Sequence, residues 1–121
     1  MSKKILVVED TEDNRQILRD LLSIAGYDVI EALDGAEGIA KASEHKPDLI
    51  LMDIQMPVMD GYEATRRIKA DPALKAIPVI AVTSYALSGD EEKVRSAGCD
   101  GYIAKPFSPR QLLAQVSKII G

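Results

Sequence analysis

"LILMDIQMPVMDGYE", residues Leu49 to Glu63, runs through four apolar residues and then meets a bare carboxylate at Asp53. A buried strand that ends in a charge needs a reason for the charge, and the rest of the chain supplies the setting for one. On both sides of this stretch, short β-branched or leucine-rich runs alternate with amphipathic segments from end to end, the pattern of an α/β domain with a parallel sheet. The spacing predicts strands at Ile5–Val8, Asp28–Glu31, Leu49–Met52, Val79–Val82 and Tyr102–Ala104. Several are apolar on consecutive residues rather than alternate ones, as expected where helices cover both faces of the sheet. Helical spacing appears in Ile17, Leu18, Leu21, Leu22 and Ala25, in Ile39, Ala40 and Ala42, and in Leu112, Leu113, Val116, Ile119 and Ile120. Gly26, Gly35, Pro47, Gly61, Pro72, Pro78, Gly98 and Pro109 punctuate these segments.

The informative residues lie where strands end. The first predicted strand runs into Glu9-Asp10, the third into Asp53, the fourth into Thr83-Ser84 and the fifth into Lys105-Pro106. Ligands of open α/β sheets sit beyond the carboxyl ends of the strands, where strand order reverses, so these positions share one edge. If the order is 2-1-3-4-5, the first and third strands are neighbours about 4.8 Å apart, and Asp10 comes close to Asp53. Two carboxylates ~5 Å apart at an effective dielectric of ~20 repel by roughly 3 kcal/mol, and Glu9 adds to that. Positive charge must offset the repulsion. Oxygen ligands without cysteine or a suitable histidine favour a hard divalent cation, Mg²⁺ or Mn²⁺, held by one or two carboxylates. Lys105 offers a second positive charge, a compact ammonium able to approach phosphate oxygens. A carboxylate is a competent nucleophile toward phosphorus when metal and lysine stabilise charge on the transferring group. On this reading the apolar strand is a rod that holds Asp53 at the sheet edge, and "QMPVMDG" turns the chain away before the next helix.

Composition narrows the function classes. A chain of 121 residues with 46% apolar content suits one domain with a real core. No run approaches the ~18 apolar residues of a spanning helix, and "MSKKILVVED" fails as a secretion signal, so a cytoplasmic protein is expected, with no membrane partner. Cys99 is the sole cysteine, which excludes an internal disulfide and points to a packing role. With a formal charge of -4 and no basic run longer than Lys3-Lys4 or Arg66-Arg67, nothing resembles a nucleic-acid footprint, and proteins are the expected partners.

Taken together, "VVED" after the first strand, "LILMDIQMPVMDG" around the third, "VIAVTS" at the fourth and "YIAKPF" at the fifth resemble the receiver domain of bacterial response regulators. The resemblance covers the chain in register, and "GDEEKVRSAGCDGYIAKP" is similar to single-domain members of the DivK and CheY types. It implies a doubly wound, flavodoxin-like (CheY-like) five-stranded parallel sheet of order 2-1-3-4-5, with residues 1–121 forming one receiver domain and no output domain. It further implies that Asp53 is the phosphoacceptor, with Glu9, Asp10, Asp53 and the Gln55 main-chain carbonyl around Mg²⁺. Thr83 would contact the phosphoryl group, Lys105 would pair with it, Tyr102 would change rotamer, and the Lys105-Pro106 peptide would be cis. Expected partners are a histidine kinase or histidine phosphotransfer protein and a downstream protein target. A monomer is the expected state, with a phosphorylation-dependent dimer as the alternative.

Each residue also has a plainer reading. Glu9-Asp10 alone suits a solvated strand end, Thr83 a helix cap, Lys105-Pro106 a turn, and Tyr102 a half-buried core position; their joint occurrence at strand ends favours the site. His45 in "SEHKPD" reads as a surface helix end, with no kinase signature to make it a phosphodonor. A receiver taken from a hybrid kinase fits the same motifs. A phosphohydrolase with an Asp nucleophile wants a second Asp two residues on, where Gln55 stands. A flavin or dinucleotide carrier wants a glycine- or serine-rich loop where "EDTEDN" is acidic, and a structural adaptor needs neither Thr83 nor Lys105. Ser84 stands where many family members carry Ala or Gly, and it joins Gln55 and Tyr85 as influences on phosphoryl lifetime. The fourth helix, around "ALSGDEEKVRSAG", has Leu87 and Val94 as its apolar anchors and an internal Gly89, and is expected to pack least firmly and to carry the signal with the fifth strand and fifth helix.

Overall fold

The computed structural model describes residues 3–54, 56, 59–83, 88–105 and 107–120, and for residues 88–91 the main chain only. The chain alternates strictly: β1 (Lys4–Val8), α1 (Glu12–Ile24), β2 (Asp28–Ala32), α2 (Gly35–His45), β3 (Leu49–Asp53), α3 (Gly61–Ala70), β4 (Val79–Thr83), α4 (Ser88–Ala97), β5 (Gly101–Ala104) and α5 (Pro109–Ile120). All strand pairs are parallel, and the order is β2-β1-β3-β4-β5, as the resemblance implies.

Side-chain alternation explains why the strands read as unbroken apolar runs. Ile5, Val7, Leu49, Leu51, Ile80 and Val82 face a core closed by Leu18 and Leu22 of α1 and Leu112 and Val116 of α5. Leu6, Val8, Ile50, Met52 and Val79 face the opposite core, closed by Ala42 of α2 and Ala64 and Ile68 of α3. Ala81 meets Val94 of α4, with Tyr62, Cys99 and Tyr102 alongside. Both faces of the sheet are therefore dry, and its polar positions are pushed to the strand ends.

Strand ends and helix faces depart from expectation in informative ways. Asp53 and Thr83 lie inside β3 and β4, pairing with Val82 and Ala104, because the hydrogen-bonded ladder rather than the apolar run decides where a strand stops. On α1, Ile17 is 56% exposed and Ala25 is the exposed C-cap residue, whereas Arg15 is buried in line with Leu18 and Leu22. On α2 the buried face is Gly35, Gly38 and Ala42, with Ile39 half-buried and Ala40 exposed. The small residues let that helix lie close: a Cβ on Gly38 would fall 2.8 Å from Val8 Cγ2. Helix α4 spans Ser88–Ala97 and buries Val94 and Ala97, while Leu87 lies outside the described residues.

The two helices that flank the loops after β2 and β3 start on aspartate caps. Asp34 accepts the Glu37 N–H at 2.8 Å, and Asp60 accepts the Glu63 N–H at 2.9 Å. The caps pin where each helix begins, and so where the loops at the carboxyl edge must turn. Among the described residues, no helix is long and apolar enough to cross a membrane.

Candidate functional site

At the carboxyl edge, β1 delivers Glu9 and Asp10, β3 delivers Asp53, β4 delivers Thr83, and β5 delivers Lys105. Carboxylate oxygens of Glu9, Asp10 and Asp53 lie within 4.8 Å of one another. Glu9 is 1% exposed and Asp53 3%, whereas Asp10 is open to solvent. The ammonium of Lys105 stands between the two buried carboxylates, 3.2 Å from Glu9 Oε2 and 3.4 Å from Asp53 Oδ1. Among the described residues, one positive charge thus faces three negative ones, an excess that suits a further cation. Oxygen donors at this spacing, two buried and one open, suit a hard divalent ion that keeps some of its water.

Main-chain bonds lock the edge together. The Lys105 N–H donates to the Thr83 carbonyl at 2.7 Å, which ties the residue just past β5 to the end of β4. Thr83 is fully buried. By strand alternation it shares a face with Ala81, whose partner across the ladder is Tyr102, so Thr83 and Tyr102 lie on the same side of the sheet. Tyr102 is half-buried against the Ile54, Ala81 and Val94 cluster, and its carbonyl accepts from Gln115 Nε2 at 3.1 Å. It also lines an open cavity of about 580 Å³ with Gln111, Ala114 and Gln115 of α5.

Gln55, Ser84, Tyr85 and Pro106, together with the peptide Lys105-Pro106, lie outside the described residues. His45 ends α2 beside Glu44, away from the carboxyl edge, as a helix-end residue should. Cys99 packs between two core clusters and donates to Thr65 Oγ1 at 3.8 Å. Burial pushes its thiol above the ordinary cysteine value, only partly countered by the Thr65 hydrogen bond, so it stays protonated at neutral pH.

Two residues that the sequence did not single out belong to this edge. Gly61 opens α3 directly against the end of β3: a Cβ there would lie 2.3 Å from the Asp53 carbonyl oxygen. Arg15 reaches up from α1 and donates from Nη1 to the Glu9 carbonyl at 2.8 Å. The available signal was an arginine in register with Leu18 and Leu22 on the inward stripe of α1.

The profile of the response regulator receiver domain matches residues 5–117. The chain belongs to the response regulator receiver domain family. This receiver domain is 46% identical over 121 residues to the polar-differentiation response regulator DivK of Brucella anthropi, covering 100% of the chain and 98% of that relative. Among solved structures it superposes on the chemotaxis protein CheY4 of Vibrio cholerae with a TM-score of 0.94 at 32% identity, over 99% and 100% of the two chains. It matches the receiver domain of the sensor histidine kinase PA1611 of Pseudomonas aeruginosa with a TM-score of 0.92 at 39% identity, over 100% and 99%. That Pseudomonas structure carries a magnesium ion coordinated in its active site cleft. This receiver domain is therefore a two-component signalling module with the CheY-like fold, and its family is neither that of the phosphohydrolases nor that of the flavin carriers.

Proposed function

We propose that this receiver accepts a phosphoryl group on Asp53 from a phosphohistidine of a histidine kinase or histidine phosphotransfer protein. The observation that carries the reading is the convergence of Glu9, Asp10 and Asp53 within 4.8 Å, with the Lys105 ammonium 3.4 Å from Asp53 Oδ1. In the transfer, an Asp53 oxygen forms the new O–P bond while the donor's N–P bond breaks and its electron pair stays on the imidazole nitrogen. Glu9, Asp10, Asp53 and the Gln55 carbonyl would hold Mg²⁺ (or Mn²⁺), which supplies neutralising charge for the transferring group. Lys105 exchanges its contact with the carboxylates for one with phosphoryl oxygens, and the β3 rod keeps the nucleophile in line.

Signal output follows from differential contact. A phosphoryl group on Asp53 shifts the domain only as far as Thr83 and Lys105 hold it better in one state than the other. Thr83 moving toward the phosphoryl group makes room on the face it shares with Tyr102, and the surface of α4, β5 and α5 changes for a downstream protein. On this reading the domain catalyses only its own phosphorylation and its slow loss.

Similarity to DivK supports a cytoplasmic regulator that signals by binding proteins, as a monomer or a phosphorylation-dependent dimer. A receiver belonging to a hybrid kinase is the second reading, favoured by the 39% identity with the PA1611 receiver; the chemistry at Asp53 is the same in both.

The test is incubation with Mg²⁺ and acetyl phosphate, read by intact mass. The expected result is a single phosphoryl adduct on the wild type that is absent from Asp53→Asn. The same adduct on the variant overturns the assignment.

A further inference from the structure

We infer that Arg15 is a positioning residue for divalent-cation binding, acting on Asp10 through the main chain of Glu9; this rests on the reading of the acidic edge as a cation site. Arg15 is 7% exposed, an unusual place for a guanidinium. Its stripe neighbours Leu18 and Leu22 are apolar, and an apolar residue at position 15 would continue the face with no charge to desolvate. Replacing a buried ion pair by apolar groups is often neutral or stabilising, so stability alone gives no reason for an arginine here.

What an apolar residue cannot do is hold a carbonyl. The β1–β3 register ends at Val8 opposite Met52, so the ladder between these strands no longer fixes the chain at Glu9. Other bonds take over. The Glu9 N–H donates to the Ala32 carbonyl at 3.1 Å, and the Glu9 carbonyl accepts from Arg15 Nη1 at 2.8 Å. A peptide unit is planar, so fixing the Glu9 carbonyl also fixes the Asp10 Cα, from which that residue's open carboxylate hangs. Magnesium demands near-ideal ligand placement, and Asp10 is the one of the three carboxylates that burial does not hold still.

The guanidinium is itself held from two further sides. Nη2 pairs with Glu12, and Nε lies 3.6 Å from Glu31 Oε1 on β2. Glu31 is fixed in turn by Arg19 Nη1, 3.1 and 3.2 Å from its two oxygens. Three partners in three directions need a planar fork, which a lysine cannot reproduce. The two carboxylates also offset the guanidinium charge, so Arg15 does not repel an incoming cation.

Arg15→Lys keeps the charge and removes the fork, which isolates geometry from electrostatics. Mg²⁺ titration of the full chain, followed by amide NMR shifts, gives the half-saturating concentration. Acetyl phosphate labelling at saturating Mg²⁺ gives the plateau rate. Losing a group that orients a metal ligand commonly costs 10–100-fold in affinity, and for one acting through a main chain we expect the low end, roughly tenfold, with the plateau rate within about twofold of wild type. A purely structural role lowers the folded fraction without moving the midpoint. An unchanged midpoint in folded Arg15→Lys overturns the inference. Should that variant not fold, Arg15→Leu carries the test. It removes a positive charge and leaves Glu12 without its arginine and Glu31 with Arg19 alone, which favours a cation, so a raised midpoint there supports the inference and an unchanged or lowered one overturns it. If wild type itself gives no Mg²⁺ response, the cation-site reading falls first and takes this role with it; a wild-type response with no change in the variants removes Arg15 alone.

Discussion

A methyl group on Gly61 has nowhere to go. Its carbon would lie 2.3 Å from the Asp53 carbonyl oxygen and 2.8 Å from Ile54 Cα, and both of those atoms are main chain and cannot rotate aside. Gly61→Ala must therefore lift the start of α3 off the end of β3 or displace Asp53. We expect a loss of about 2–3 kcal/mol in urea unfolding, the cost of forcing atoms into a packed site, together with slower phosphorylation by acetyl phosphate. An alanine variant as stable and as reactive as wild type would remove this contact from the account. Gly61 and Arg15 also mark what a sequence conceals at this scale. Glu9, Asp10, Asp53, Thr83 and Lys105 are legible because strand ends are, and parallel topology carries all strand ends to one edge. Gly61 reads only as punctuation, since no local pattern states that the end of β3 lies against it. Arg15 reads as one more helix charge, since its register with Leu18 and Leu22 does not state that a carbonyl waits at the end of that stripe.

At the scale of elements, the inward side of α1 is where the pattern misleads. The stripe through Ile17, Leu18, Leu21, Leu22 and Ala25 is real, but it is rotated: Leu18 and Leu22 are buried, Leu21 packs at the margin, and Ile17 turns to solvent because Arg15 takes the inward position toward Glu9. A polar contact at the sheet edge thus outweighs one exposed isoleucine. The expectation of a lightly anchored fourth helix fares better. Among its described side chains, α4 buries Val94 and Ala97, one medium and one small residue, whereas α1 buries two leucines and α5 buries Leu112 and Val116 with Leu113, Ile119 and Ile120 beside them. Burying less apolar surface leaves less free energy against local opening. Amides of residues 92–97 should exchange with solvent deuterium faster than those in the middle of α1 and α5. Equal protection across the three helices would remove α4 as the yielding element.

Across the whole molecule, the acidic edge opposes folding. The carboxylates of Glu9, Asp10 and Asp53 gather within 4.8 Å of one another beside the Lys105 ammonium, and their mutual repulsion is present only in the folded chain. Binding that occurs only in the native state stabilises it by mass action, about 1.4 kcal/mol at a tenfold excess over Kd. For a domain of this size, that corresponds to a rise in Tm of roughly 3–6 °C. Asp10→Asn should therefore melt a few degrees higher than wild type in EDTA, roughly 1 kcal/mol of relieved repulsion, and respond little to added Mg²⁺. Scanning calorimetry of both proteins with and without the ion checks this, and a variant that melts lower in EDTA would contradict it. The architecture itself is read almost whole from the sequence, because alternating runs leave few topologies open. The additions to β3 and β4 are single residues gained by pairing.

Strand β3 has a neighbour on either side, and all five of its residues are buried. A rod so enclosed cannot fray by itself, and its amides meet water only when the sheet comes apart. A displacement at its tip is consequently passed sideways, to the ends of β1 and β4, because the stem beneath the acid does not bend.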